Sequence, residues 1–547
     1  MACAALIAAA GVVLRFHRIG EAGLWRDEAT AAFWSQLAAG DLLRALRDDV
    51  HAPLFYLLLG AWSKLAGTSE AALRALPALL GGLAAGAMAW ALRPLAGPAA
   101  LAAAAVLAVM PGFVLISQQV SPYSLLMLIT VGALGAQLRL LPVGAPVEGG
   151  PATAPRLGVR EPNRPSGVMR LRIGPAVLLC LCLAGLVYTH LWSVLLWTAL
   201  ALCVGIVGAI SYWRDKRIHD AFWWSLSAHA AAVVLWLPWL VSAVDQAASR
   251  TMDHLPPKSA VIDMLRRSSL CWFSHPTTSI AVLLLSGVAG ATALILGRRN
   301  VRLGAAAMVL LGAGLIPHLV CSLTPPSRVL YYDRYALVCA PAAVGVIFVV
   351  LSGALPRMVA LWASWGLAAA VGAIPVLAGG GFGMFFVQSY RPSPMREVAS
   401  LLDREARPQD VIVLYPELYA PALNWYFHGP QAQICFPATK RVEIVNYRTF
   451  ADRIEDPNAG AAALQAVRAA MRPESRLWLI YNPGRDSYRG QQSRIRYGSA
   501  FDDFAAALGR TFPGVMQEAA RFTPPPDDRR QAFEPVRVVM VTPASAD

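Results

Sequence analysis

Two adjacent carboxylates near the start of the chain are the residues best suited to chemistry. Asp27 and Glu28 lie in the stretch GLWRDEATAAFW, residues 23–34, shortly after an apolar run. Carboxylates this close to a bilayer are costly unless they are solvated, paired or used. A helix N-terminus also favours acids, which would be a purely structural reason for the pair. Because tryptophans flank the pair beside the membrane, we expect it to have a functional role.

Histidines, tyrosines and basic residues collect in loops expected on the same side as the two acids. Such groups suit a substrate with a phosphate among the lipid headgroups and an apolar tail, since cations stabilise phosphate charge. The candidates for binding such a substrate are His51, Tyr123, His190, Lys258, Arg328, Tyr331, Arg334 and Tyr335. Arg334 and His51 lead this set. The structural alternative is that interfacial tyrosines and arginines only anchor the protein at the membrane edge.

The composition is that of a membrane protein. Of 547 residues, 56% are hydrophobic and only 15% are charged, whereas soluble domains carry about 25% charged residues. The formal net charge of +14 would suit nucleic acid, but the placement of the basic residues argues against that partner. The eight cysteines form no CxxC motif and no Cys/His cluster with metal spacing. We therefore predict neither structural disulfides nor a zinc site. We also expect no cofactor.

Eleven apolar runs predict membrane spans, because about 20 apolar residues cross a bilayer. The predicted spans are 2–16, 72–92, 98–116, 123–141, 173–189, 191–211, 221–244, 278–296, 303–321, 335–352 and 358–380. Residues 1–380 are therefore expected to form an α-helical polytopic membrane domain. The first run lacks a basic n-region and a clear cleavage site, so we expect an anchor rather than a signal peptide, with the true N-terminus further upstream.

The distribution of arginine and lysine predicts which loops face the cytoplasm. Alternate loops are basic, and among them residues 142–172, rich in Pro, Gly and Arg, predict a disordered cytoplasmic loop. The first loop, residues 17–52, carries six acids against four arginines and is expected outside as the catalytic loop. The apolar run 53–67 is short, and counting it as a span would reverse every later loop. We expect it along the interface or dipping in and returning, with a short true span as the alternative.

From residue 381 onward, strands alternate with helices. The segments DVIVLYP, RLWLIYNP and PVRVVMVTP predict strands, and PMREVASLLDREA and AGAAALQAVRAAM predict amphipathic helices. This alternation predicts an α/β domain over residues 381–547. The loop pattern places it on the extracytoplasmic side, together with the first loop.

The order of these features resembles that of the C-type polyprenyl-phosphate-sugar glycosyltransferases. That superfamily includes the dolichyl-phosphate-mannose-dependent protein O-mannosyltransferases and the aminoarabinose transferase of lipid A. The resemblance covers roughly residues 20–345, through LWRDEATAAFW, HAPLFYLLLGAWSKLAGTSEAALRALPALLGG, PYSLL, YTH and RYALVCAP. It implies that Asp27 is the catalytic base and that no metal is needed. Members usually carry an acid and an arginine in the second outer turn, where SQQVSPYS has Gln119 and Ser121 instead.

We therefore expect a glycosyltransferase of the inner membrane that works on its outer face. It would move a sugar from a polyprenyl-phosphate donor to a hydroxyl of a protein, glycan or lipid, with inversion. Asp27 would be the general base, held by Glu28 or Arg26, although the reverse roles for the two acids stay open. The alternatives are a receptor or scaffold of the same fold that has lost catalysis, and a lipid or sugar transporter. A transporter would place ionisable groups within its spans and often show internal repeats, and the sequence shows neither pattern.

Overall fold

The computed structural model describes most of the chain. The described residues are 2–141, 172–216, 218–248, 261–273, 276–297, 300–324, 334–375, 393–439, 441–444, 447–481, 491–522 and 536–543. The predicted disordered loop, residues 142–172, lies outside them except for Arg172.

Helices make up the described chain as far as residue 375. They are α1 Ala2–Phe16, α2 Arg26–Ser35, α3 Ala39–Asp48, α4 Leu54–Ala66, α5 Glu70–Ala96, α6 Ala100–Val109, α7 Pro111–Ser117, α8 Tyr123–Arg139, α9 Ile173–Thr189, α10 Ser193–Asp215, α11 Asp220–Ala248, α12 Val261–Phe273, α13 Pro276–Leu296, α14 Val301–Leu323, α15 Ala340–Ala354 and α16 Arg357–Pro375. Two 3-10 helices, Gly97–Ala99 and Tyr335–Cys339, precede α6 and α15.

Each of the eleven predicted spans coincides with helical structure over most of its described residues. The span 98–116 is divided into α6 and α7, because Met110 is extended before Pro111 and a residue before proline avoids the helical region. Among the described residues, five helical segments are long and apolar enough to cross a membrane, and six further apolar helices are shorter. The number of eleven crossings stays a prediction, and so does the interfacial placement of α4.

Small residues let the helices of the bundle approach closely, as is usual in membranes. On α5, a Cβ added to Gly82 would lie 2.3 Å from the Cγ2 atom of Val12 on α1. On α8, a Cβ added to Gly135 would lie 2.4 Å from the Cζ3 atom of Trp90 on α5. α5 is therefore packed closely between α1 and α8.

The described residues from 393 onward, here the C-terminal region, combine five strands with five helices. The elements are α17 Met395–Glu405, β1 Val411–Tyr415, α18 Ala420–Tyr426, β2 Ala432–Cys435, α19 Tyr447–Glu455, α20 Ala459–Ala470, β3 Leu477–Tyr481, α21 Gln491–Thr511, β4 Gly514–Phe522 and β5 Val536–Pro543. The strand order is β2-β1-β3-β5-β4, with β1 parallel to β2 and β3, and β5 antiparallel to β3 and β4. Val411 pairs with Ala432 and Leu477.

The two faces of this sheet belong to different hydrophobic cores, since side chains alternate along a strand. Val411 and Val413 point to a core with α20 and α21. Ile412 and Leu414 point to a core with α17 and α18. This second core continues into the first loop and α4, where its buried members include Leu24, Trp34, Leu46, Phe55 and Leu59. The layer of α17 and α18 is thus packed between the sheet and the first loop.

Candidate active site

The two carboxylates of the opening motif are the second and third residues of α2. With 3.6 residues per turn, successive side chains on a helix point about 100° apart. The side chain of Asp27 is 30% exposed, whereas that of Glu28 is 1% exposed. Of the two acids, Asp27 therefore faces solvent and Glu28 faces the protein.

Asp27 lies on the wall of a cavity of about 140 Å³ that is bounded by the start of α2, the end of the first loop, the turn before α8, the end of α9 and the 3-10 helix before α15. Its lining residues are Trp25, Arg26, Asp27, Thr30, Trp34, Val50, His51, Ala52, Tyr56, Gln119, Val120, Ser121, Pro122, Tyr123, Thr189, His190, Leu191, Arg334 and Tyr335. Segments distant in sequence thus meet at one concave surface, which is the usual form of a small-molecule site.

Two guanidinium groups approach the carboxylate of Asp27. The Arg26 Nε atom lies 3.0 Å from Oδ1, and the Arg334 Nη2 atom lies 3.9 Å from Oδ2. Arg334 directly precedes the 3-10 helix Tyr335–Cys339, at the opposite end of the helical part of the chain. The position of Asp27 at the N-terminus of α2 adds a further favourable field for a negative charge. The site therefore combines one proton acceptor with cationic groups that can bind an anion.

Glu28 is part of a buried ion pair behind the cavity wall. Its Oε1 and Oε2 atoms accept hydrogen bonds from Arg74 Nε at 2.8 Å and Nη2 at 2.7 Å. Oε1 also accepts from the backbone N–H of Val120 at 2.9 Å, and Oε2 from that of Trp25 at 3.4 Å. The other N–H groups of Arg74 donate to the carbonyls of Ile19, Ala22 and Gly23. Both charges therefore have hydrogen-bond partners. Through these bonds the pair joins the first loop to α5 and to the turn before α8.

Three aromatic rings form one side of the cavity. The ring centroid of His190 lies 4.6 Å from that of Tyr335 and 5.7 Å from that of Tyr123. The guanidinium of Arg334 lies over Tyr335 and Tyr123, at 5.8 Å and 6.0 Å from their centroids. These distances allow cation–π attraction, which fixes the guanidinium beside Asp27. Flat rings at such a wall can pack against the apolar face of a sugar.

His51 also lines the cavity. Its Nδ1 atom lies 2.7 Å from the Oδ2 atom of the buried Asp49. Its ring meets Trp34 edge to face at 5.2 Å and Tyr56 at 5.6 Å. The carboxylate and the two rings hold the imidazole in one orientation. Such a histidine can bind an anion through its outward nitrogen when protonated.

The turn between α7 and α8 gives the cavity an uncharged edge. Gln119 and Ser121, which carry no charge, both line the cavity. The hydroxyl of Ser121 donates to the carbonyl of Ile116 at 3.4 Å. Because Val120 between them is bonded to Glu28, this turn is fixed to the same scaffold as Asp27.

The structure brings most of the sequence-predicted site residues together. The cavity gathers Asp27, His51, Tyr123, His190, Arg334 and Tyr335. The predicted candidates Lys258, Arg328 and Tyr331 lie outside the described residues. Glu28 is buried and does not line the cavity.

Sequence reasoning gave no role to several residues that shape the site. Trp34 and Tyr56 line the cavity, Asp49 orients His51, and Arg74 holds Glu28. Two of these had a signal in the sequence, since Tyr56 ends the motif HAPLFY and Arg74 ends GTSEAALR. In the part of the chain that the structure describes, no group of three or more His, Cys, Asp or Glu side chains could hold a metal ion.

No family model and no curated protein matches this sequence. Solved structures match its fold. The chain is 13% identical to ArnT from Cupriavidus metallidurans in the apo state, over 98% of this chain and 97% of that chain, with a TM-score of 0.56. It is 11% identical to the oligosaccharyltransferase of Archaeoglobus fulgidus in the apo form, over 88% of this chain and 69% of that chain, with a TM-score of 0.52. A second structure of that protein, AglB, in complex with an inhibitory peptide and a dolichol-phosphate, matches over the same shares with a TM-score of 0.51.

Proposed function

We propose, from the C-type glycosyltransferase fold that this chain shares with ArnT and AglB, that it is a membrane glycosyltransferase. It would move a sugar from a polyprenyl-phosphate donor to a hydroxyl group of an acceptor. The reaction would take place at the extracytoplasmic face of the inner membrane, with Asp27 as the general base.

One observation carries this proposal. A carboxylate from the first loop and a guanidinium that precedes the 3-10 helix at Tyr335 face the same cavity, with Asp27 Oδ2 and Arg334 Nη2 3.9 Å apart. Transfer from a lipid phosphate needs both kinds of group in one site. The acceptor must lose a proton, while the leaving phosphate must gain negative charge.

The proposed step is a single displacement at the anomeric carbon. The acceptor oxygen forms a bond to that carbon as its proton passes to the Asp27 carboxylate. The bond between the anomeric carbon and the phosphate oxygen breaks, and its electron pair leaves with the polyprenyl phosphate. One displacement inverts the configuration, and Asp27 then returns the proton to water. A positioned base of this kind contributes about 10²–10⁴-fold to the rate.

The groups around Asp27 fit the remaining parts of that reaction. Arg334 and His51 would bind the phosphate and stabilise the charge that develops on it. The rings of Tyr123, His190 and Tyr335 would bind the sugar. The AglB structure, which contains a dolichol-phosphate, supports a lipid phosphate as the donor class. The acidic first loop and the basic alternate loops support the extracytoplasmic side.

A second candidate is a receptor or scaffold of the same fold that has lost catalysis. The observation that favours it is the uncharged turn before α8, where Gln119 and Ser121 line the cavity. Under this candidate the cavity would still bind a lipid phosphate, but no glycosidic bond would form.

The test incubates the purified chain with a panel of polyprenyl-phosphate sugars and acceptors and measures released polyprenyl phosphate. Release together with a glycosylated acceptor from at least one donor supports the transferase. Binding of the donors without release from any of them favours the scaffold.

A further inference from the structure

The C-terminal region contacts the base-bearing segment of the first loop through the hydroxyl of Tyr426. This tyrosine is the last residue of α18. Its Oη atom accepts a hydrogen bond from the backbone N–H of Leu24 at 2.7 Å and lies 3.1 Å from the Oε1 atom of Glu70. Leu24 directly precedes Trp25, the N-cap residue of α2, and Glu70 is the first residue of α5. This hydroxyl thus links α18 to the first loop, shortly before Asp27, and to the start of α5.

The segment from Glu21 to Leu24 is held from both sides. On one side, Arg74 donates to the carbonyls of Ala22 and Gly23. On the other side, Arg396 of α17 donates to the carbonyl of Glu21, and its Nη1 atom lies 3.4 Å from Glu70 Oε1.

The C-terminal region lies close to the backbone at Gly23. A Cβ added there would lie 3.3 Å from the Cβ atom of Arg396 and 3.4 Å from the hydroxyl of Tyr426. Arg396 and Tyr426 of the C-terminal region therefore pack directly against the segment that precedes the proposed base, Asp27.

Buried and aromatic side chains pack around the hydrogen bond between Tyr426 and Leu24. Leu24 is fully buried, and the ring of Phe33 on α2 meets Trp425 edge to face at 5.1 Å. Burial raises the pKa of Tyr426 well above its usual range, so its hydroxyl stays protonated and can donate to Glu70. Removing the hydroxyl would leave the buried Leu24 N–H without this acceptor, an unfavourable state that a shift of the segment would relieve.

We propose that Tyr426 is a positioning residue for Asp27. The C-terminal region thereby sets the geometry of the base, in addition to any part it takes in binding the acceptor. This inference rests on the proposed function, because it assigns Tyr426 a role in the same reaction. Arg334 and His51, which we propose bind the donor phosphate, lie outside residues 21–34, so loss of the hydroxyl should affect the reaction step and leave donor binding intact.

The test compares Tyr426→Phe with Tyr415→Phe, a matched control. Tyr415 is buried on the opposite face of the sheet, stacked on Tyr481 at 5.0 Å. We expect Tyr426→Phe to lower kcat by about tenfold, as for a small misplacement of a catalytic group, with the donor KM unchanged. We also expect faster amide hydrogen exchange in peptides covering residues 21–34. The control should show neither change.

A second pair of variants tests the same contact without changing the tyrosine. Glu70→Gln keeps an oxygen that can accept from the Tyr426 hydroxyl, whereas Glu70→Ala removes it. We expect kcat to fall in the alanine variant and to be largely retained in the glutamine variant.

Wild-type kcat in Tyr426→Phe, or an equal loss in Tyr415→Phe, would overturn the inference. Unchanged exchange over residues 21–34 would overturn it too. If the wild-type chain transfers no sugar, the proposed function fails. If the wild-type chain transfers sugar and Tyr426→Phe matches it, only the positioning role fails.

Discussion

At the scale of single residues, Asp27 and Glu28 show how neighbours with the same chemistry acquire different tasks. Asp27 faces a cavity and two guanidinium groups, whereas Glu28 is enclosed by Arg74 and two backbone N–H groups. The sequence singles out the pair by its charge beside a membrane. It leaves open which acid faces the substrate, because that depends on where α2 begins and on a partner 46 residues away.

Matched amide variants of the two acids should differ in stability. Glu28→Gln should lower the free energy of unfolding by about 3–5 kcal/mol, because it leaves the buried Arg74 guanidinium without its counter-charge. Asp27→Asn should leave stability near that of the wild type, because its side chain is partly exposed. Thermal unfolding of the full chain in detergent measures both. Equal losses in the two variants would contradict the structural role given to Glu28.

Arg334 should contribute to donor binding, because the lipid phosphate is already anionic before the reaction. We expect Arg334→Ala to weaken binding of polyprenyl phosphate by about tenfold or more, the value of a charged hydrogen bond. Arg334→Lys should recover part of this loss, since it keeps the charge but not the planar group. Titration with polyprenyl phosphate measures the affinity. Arg44→Ala, at an exposed site on α3 in the first loop, is the control. Unchanged affinity in Arg334→Ala would argue against a phosphate site here.

At the scale of elements, the site is built from the ends of helices. The start of α2, the end of α9, the turn before α8 and the 3-10 helix Tyr335–Cys339 each contribute side chains to one cavity. The sequence predicted these ends from motifs such as PYSLL, YTH and RYALVCAP. It also predicted β1, β3 and β5 from their apolar residues. It missed β2, which has four residues, and β4, whose first five residues are exposed, because neither carries a strong apolar pattern.

A buried glutamate just after β1 predicts that the stability of the C-terminal region depends on pH. Glu417 follows this strand and pairs with Arg453 of α19. Burial raises the pKa of Glu417 to about 7, and Arg453 lowers it only in part. An unfolded glutamate has a pKa of 4.5, so the folded chain binds more protons than the unfolded chain between these values. The contribution of Glu417 to the free energy of unfolding is therefore full below pH 4.5 and lost as the pH rises through 7.

Glu417→Gln removes this titration. We expect the unfolding midpoint of the full chain to fall less between pH 5 and pH 8 in Glu417→Gln than in the wild type. The measurement is thermal unfolding at both pH values in the same detergent. A variant with the pH dependence of the wild type would show that Glu417 is not the group responsible.

At the scale of the whole molecule, the fold joins regions that the sequence presents as separate. The apolar runs predicted the helices well, because hydrophobicity over about 20 residues is a local signal. The shared core is not local: it brings Leu24, Trp34 and Phe55 together with Ile412 and Val538. Such packing between distant segments leaves no periodic pattern, so the sequence predicts the α/β domain of residues 381–547 but not the continuation of its core into the first loop.

The proposed orientation in the membrane predicts which residues are accessible from outside. In a chain without native cysteines, single cysteines at positions 40, 260 and 450 should react with a membrane-impermeant thiol reagent in intact cells. A cysteine at position 160 should react only after the membrane is opened. Labelling at 160 but not at 450 in intact cells would overturn the eleven-span topology and the extracytoplasmic site with it.

The central claim is that Asp27 takes the proton of the acceptor, and Asp27→Asn tests it most directly. The amide keeps the size of the side chain and much of its hydrogen bonding but cannot act as the base. With donor, acceptor and purified chain, turnover should fall by about 10²-fold or more, while donor affinity changes far less, because the loss is confined to the transition state. An Asp27→Asn protein that transfers sugar at nearly the wild-type rate would contradict this account.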